Sequence, residues 1–165
     1  MGSGTLDSYP LIADQTNATL GSELVTNGDF ATDSNWTKGT GWTISGGSAN
    51  CDGTQSGNTG LVQQNGILGV TLDLIVGKAY KMQFDATVSS GFITNIEVGG
   101  NYNNDNITTT NSYTLYFVPS STNDRITFTA NPDFVGSIDN VTVKKVNGNP
   151  AIMTNQTSSD IENGS

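Results

Sequence analysis

The chain has 165 residues with fifteen acidic against six basic side chains, a net charge of −9, and only 13% of its residues charged. That length suits one domain with a core of its own, and the charge argues against a nucleic-acid backbone or an anionic membrane as partner. There is no His, which removes the usual general base, the commonest transition-metal ligand and the ordinary catalytic triad.

In chain order, residues 1–22 hold one weakly apolar patch, Tyr9 to Ala13, followed by polar residues without periodicity, and are read as a linker or tag, with Met1 to Gly4 as an expression scar. They lack the charged start and apolar stretch of a signal peptide, and no segment has the apolar run of a membrane helix, so the piece is expected to be soluble. Short strand candidates follow at Leu24 to Thr26, Trp42 to Ser45, Ser48 to Cys51, Gly60 to Gln64, Leu72 to Val76 and Phe92 to Val98. Cys51, the single cysteine, is expected as a small buried side chain.

Four longer stretches alternate with period two. In residues 78–88, Tyr80, Met82, Phe84, Ala86 and Val88 share one face and Lys81, Gln83, Asp85 and Thr87 the other. Residues 112–118 set Tyr113, Leu115 and Phe117 against Thr114, Tyr116 and Val118, and residues 124–130 set Ile126, Phe128 and Ala130 against Arg125, Thr127 and Thr129. Residues 136–146 continue the pattern with a change of phase at Asp139-Asn140, where a bulge or turn would restore register. Residues 147–165 are polar and turn-rich and are read as a second linker.

About ten short strands, each bounded by Gly, Asn, Asp or Pro, and no helical stripe predict an all-β fold: an antiparallel β-sandwich of jelly-roll type over residues 23–146. If the strands at 80–88, 92–98 and 112–118 share one sheet, its solvent face carries Gln83, Asp85, Asn95, Glu97, Thr114 and Tyr116, hydrogen-bonding groups around one ring. Tyr102 in a loop is a second stacking residue. Trp42 alternates in phase with Ile44 and is expected in the core, whereas Trp36, in the loop between Thr32 and Gly41, is open between rim packing and ligand contact. Asp85 and Glu97 could face one groove, but hydrolysis needs two carboxyl groups about 5–9.5 Å apart in a shielded cleft, and no loop here is long enough to supply one, so an enzyme is not expected.

The order of Glu23 to Phe30 ("ELVTNGDF"), Trp42 to Gly47 ("WTISGG"), Val76 to Val88 and Phe134 to Val146 ("FVGSIDNVTVKKV") resembles the jelly-roll carbohydrate-binding modules of families four, nine and twenty-two. The resemblance implies first and last strands side by side, a non-catalytic module that attaches a larger protein to a polysaccharide or cell-surface glycan, and a structural calcium ion where those strands meet. Matching that site are Asp139 and the region of Gly28 and Asp29. An acidic residue often follows the Phe in those families, and Ala31 stands there, for which Asp29 or Asp52 would have to substitute; the other reading makes Asp29 and Asp139 turn-forming residues. The Asn- and Thr-rich texture and the tail also resemble phage structural and tail-fibre proteins. They imply a virion-surface or extracellular location, with a scaffold domain touching other virion subunits as the alternative role and a calcium-stabilised spacer as a third.

Overall fold

The computed structural model describes residues 19–147. Most of the two expected linkers therefore lies outside the described residues. The elements are β1 Leu20–Glu23, β2 Thr37–Lys38, β3 Trp42–Ser45, β4 Ser48–Asp52, β5 Thr59–Gln64, β6 Tyr80–Ser90, β7 Ile93–Val98, β8 Asn101–Asn103, β9 Asn111–Phe117, β10 Arg125–Ala130 and β11 Val135–Val146. No helix long and apolar enough to cross a membrane occurs among them.

Every strand pairing is antiparallel. One sheet runs β3-β4-β11-β6-β9, with β1 also on β11; the other runs β2-β5-β10-β7-β8. The expected β-sandwich is therefore the fold. Alternation builds its core: Tyr80, Met82, Phe84 and Ala86 from the first sheet meet Ile126, Phe128 and Ala130 from the second. Trp42 packs beside Phe134 at 5.9 Å between ring centres, and Cys51 is buried, its thiol pushed above its ordinary pKa mainly by that burial.

Two expected strands are not strands, and side chains explain both. Leu24 to Thr26 is replaced by β1 at Leu20–Glu23: the Leu24 N–H still reaches the Val143 carbonyl of β11 while shared with the Glu23 carboxylate, but beyond it the Glu23 carboxylate accepts the Val25 N–H and the Gln63 side-chain oxygen that of Thr26. Leu72 to Val76 stays irregular although Leu72 and Leu74 are buried. Its backbone donors go to the side chains of Asn65, Asp124 and Tyr80 instead of a neighbouring strand. The added strands β2 and β8 are too short to leave a periodic signal.

The phase change in β11 is a bulge between Asp139 and Thr142, with Asn140 at φ 51°. It keeps both Ile138 and Val141 buried. The segment after β1 locks onto this bulge: the Gly28 carbonyl accepts the Val141 N–H at 2.8 Å. Asn27, at φ 53°, holds the following turn through side-chain hydrogen bonds to Thr32 and Ser34. Phe30 and Trp36 then enter the core, with ring centres 5.2 Å apart, and Trp36 also meets Phe128 at 6.5 Å. Trp36 is 2% exposed and donates its Nε1–H to the Asn27 carbonyl, so it is not a ligand contact.

A Cβ placed on Gly28 would overlap the Val141 carbonyl oxygen, which makes the close approach of this segment to β11 dependent on glycine. Gly28→Ala is expected to cost about 2 kcal/mol or more of unfolding free energy, measured by chemical denaturation, because only a backbone shift relieves the overlap. A loss below about 0.5 kcal/mol would mean that the segment is not held there.

Candidate functional site

The solvent face expected from the sequence divides in two. β6 and β9 are neighbours in the first sheet, but β7 lies between β10 and β8 in the second. The chain changes sheet at Gly91, φ 62°, just after β6, and Asn131 secures the corner by accepting the Phe92 N–H. Strand alternation states which residues face out and is silent on which sheet they face out from. Gln83, Asp85, Thr114 and Tyr116 therefore share one outer face, and Asn95, Glu97 and Tyr102 share the opposite one. Asp85 and Glu97 do not share a groove, which removes the carboxylate pair considered for hydrolysis.

On the second sheet, register aligns Val62, Thr127, Glu97 and Tyr102 in a row across β5, β10, β7 and β8. Gly60, Thr129 and Asn95 form the next row, and Gln64 and Arg125 flank the first on its other side. Tyr102 is 51% exposed, whereas Glu97 is 2% exposed. Arg125 donates from Nε at 2.9 Å and from Nη2 at 2.5 Å, both to Glu97 Oε2. Glu97 Oε1 and the Thr127 hydroxyl are buried with no hydrogen-bond partner. Unpartnered buried oxygens are costly, but burial closes these two to a ligand on the outer face. What the face presents outward is the Tyr102 ring with Asn95, Thr129 and Gln64, which suits a molecule with hydroxyl groups and a flat C–H face.

On the first sheet, Tyr116, Lys81 and Lys144 align across β9, β6 and β11; the next rows are Thr114, Gln83, Thr142 and then Ser112 and Asp85 beside the bulge. Tyr116 is half-buried on the expected outward face. Gln83, Asp85, Ser112, Thr114, Asn140 and Thr142 line a depression of about 290 Å³ together with the edges of Phe84 and Tyr113. Asp85 accepts from the Ser112 hydroxyl at 2.5 Å and from Asn140 Nδ2 at 2.8 Å, and these bonds hold its carboxyl below the usual range. The clasp by Asn140 was not legible in sequence, since it depends on the bulge turning that side chain across to β6.

Of the residues expected to hold calcium, Asp139 and Asp29 are close enough to repel, and Asp85 repels Asp139 as well. Burial is the larger cause of the raised Asp139 pKa. Asp52 lies four residues along the ladder, opposite Val135, where its carboxylate caps the Thr54 N–H and hydroxyl, so it does not join them. Gly28 spends its carbonyl on Val141. Among the described residues no three His, Cys, Asp or Glu side chains group to hold a metal ion. Asp29 and Asp139 are fewer carboxylates than a closed calcium site gathers.

No family model and no curated protein matches this chain. Solved structures share its fold. A crystal structure of the enzymatically active domain of tailspike protein 4 of bacteriophage CBA120 has a TM-score of 0.53 at 22% identity over 75% of this chain, which spans 21% of that one. The CBM22-1 xylan-binding domain of Paenibacillus barcinonensis Xyn10C has a TM-score of 0.51 at 13% identity, covering 78% of this chain and 97% of that domain. The CBM22-1 and GH10 modules of a Clostridium thermocellum xylanase, complexed with xylohexaose, give 0.50 at 13% identity, covering 82% of this chain and 30% of theirs. At these identities the likeness extends to the fold.

The carboxyls of the first sheet titrate in opposite senses. Asp85, with its pKa lowered, adds stability above the usual carboxylate range that is lost as pH falls through its own pKa; Asp139, with its pKa raised, loses stability as pH rises through its own. Asp139→Asn is therefore expected to raise the melting midpoint at pH 7 by about 1–3 °C and to leave it unchanged near pH 3. A lower midpoint at pH 7 would show that the ionised carboxylate is stabilising.

Proposed function

We propose that this chain is a non-catalytic glycan-binding module whose ligand lies across the outer face of the β2-β5-β10-β7-β8 sheet. The observation that carries the reading is Tyr102, half-exposed on the face that also presents Asn95, Thr129 and Gln64. The tyrosine ring covers the C–H face of a pyranose, and Asn95, Thr129 and Gln64 offer hydrogen bonds along the same face. The two cations of this sheet, Lys38 and Arg125, are both paired with carboxylates and leave no free positive charge for an anionic substituent, so the ligand of this face is a neutral polysaccharide.

Two named structures with this fold are a xylan-binding domain and a module set holding xylohexaose, which makes xylan oligosaccharides the first probes. The tailspike domain supports a second reading, in which the module belongs to a phage surface protein and contacts other virion subunits. Both readings give the chain an extracellular or virion-surface setting. Calcium enters as a weak site at Asp29 and Asp139, where it would offset carboxylate repulsion near the meeting of the first and last strands.

Tyr102→Ala is expected to weaken the binding of xylan oligosaccharides about tenfold or more, measured by titration calorimetry, with the melting midpoint kept, since stacking on one exposed ring contributes about 1–2 kcal/mol. Undiminished affinity would remove the proposed face. For calcium, a melting midpoint higher in excess calcium than in chelator is expected, because a ligand bound by the native state alone raises stability; identical midpoints would remove the ion.

A further inference from the structure

The six cations of this acidic chain are unevenly placed. Lys38 pairs with Asp33 and Arg125 with Glu97. The other four, Lys78, Lys81, Lys144 and Lys145, gather at one end of the β6 and β11 pair, and none forms a salt bridge among the described residues. Lys81 and Lys144 are register partners, so two ammonium groups stand side by side on the outer face of the first sheet. Like charges directly opposite on paired strands are unfavourable, and this pair sits in a chain with fifteen acidic residues available to relieve it.

No carboxylate pairs with either lysine. Glu23 is the β1 partner of Lys144, but its Oε1 turns to three backbone N–H groups, from Leu24, Val25 and Val143, at 2.7–3.0 Å, and it forms no salt bridge with Lys81 or Lys144. Asp85 and Asp139 lie two rows farther along the ladder, about 13 Å away at the rise of an antiparallel strand, which exceeds the screening length of about 8 Å at physiological salt. On the other side of Lys81 stands Tyr116, and beneath this row lies the polar depression with Gln83, Thr114 and Thr142.

We propose that this face is a second binding site, independent of the Tyr102 face, for an acidic saccharide. Its carboxylate or sulfate lies on Lys81 and Lys144, the flat side of the ring lies on Tyr116, and hydroxyl groups reach Gln83, Thr114 and Thr142 in the depression. The cationic row is one residue pair wide and the rest of the molecule is acidic, so it fits one anionic substituent on a sugar better than a continuous phosphate chain.

The test is affinity electrophoresis of the 165-residue chain in gels containing polygalacturonate, dextran sulfate or neutral dextran, at low salt and at about 0.5 M salt. Retardation by polygalacturonate or dextran sulfate, lost at high salt and absent in dextran, is expected, and whichever gel retards identifies the anionic group. The double variant Lys81→Gln, Lys144→Gln should weaken it about tenfold or more, Tyr116→Ala by a similar factor, and Tyr102→Ala not at all. No retardation in either acidic gel, or retardation that survives the lysine changes, overturns the proposal. If it falls with the lysines and is indifferent to Tyr116→Ala, the face is an ion-exchange surface and the saccharide assignment is overturned. Failure of neutral oligosaccharides to bind the Tyr102 face would leave these results unaffected and would count against the other site alone.

Discussion

Asn140 takes a left-handed conformation in the middle of β11, a strand twelve residues long, and the rest of the sandwich is arranged around that bulge. Without it, a residue step of two would turn either Ile138 or Val141 away from the core; with it, Ile138, Val141 and Val143 are all buried. Asn tolerates this backbone better than any other side chain with a Cβ. The same bulge exposes the Val141 N–H to the Gly28 carbonyl and swings the Asn140 amide onto Asp85. One irregularity thus fixes the core face of the strand, the docking of the first segment and the shape of one outer face.

Much of the fold was legible because burial and strand alternation carry the same information. The phases of β6, β9, β10 and β11 read from sequence are those of the structure, as is the bulge near Asn140. What failed were the pieces in which side chains replace ladder partners. Leu72 to Val76 has apolar content without strand pairing, since Asn65, Asp124 and Tyr80 take its donors. Trp36 sits in a polar loop segment and yet is buried, because the Asn27 turn folds that segment back over Phe30 and Phe128.

Which residues face outward was legible, and which sheet they face out from was not. Asn95 and Glu97 were read as sharing a face with Gln83, Asp85 and Tyr116, but they lie on the opposite sheet, beside Tyr102, which was read as a loop residue; alternation holds no signal for the crossing at Gly91. Register was equally hidden. The Lys81 and Lys144 pair arises from residues 63 positions apart, and the link of Arg125 to Glu97 spans 28. The two faces consequently differ in chemistry: one holds a charge-balanced pair beside the exposed Tyr102 ring, the other a cationic row without ion-pair partners beside Tyr116.

The central claim is that the Tyr102 and Glu97 face holds a neutral glycan. Its most direct test is the titration of isotope-labelled protein with a neutral hexasaccharide, followed by amide and side-chain chemical shifts. Saturable shifts concentrated on the outward residues of β7, β8 and β10, led by Tyr102, Asn95 and Thr129, are expected, with β6 and β9 unmoved. Shifts confined to the β6 and β9 face, or to the loops at the ends of the sandwich, would contradict it.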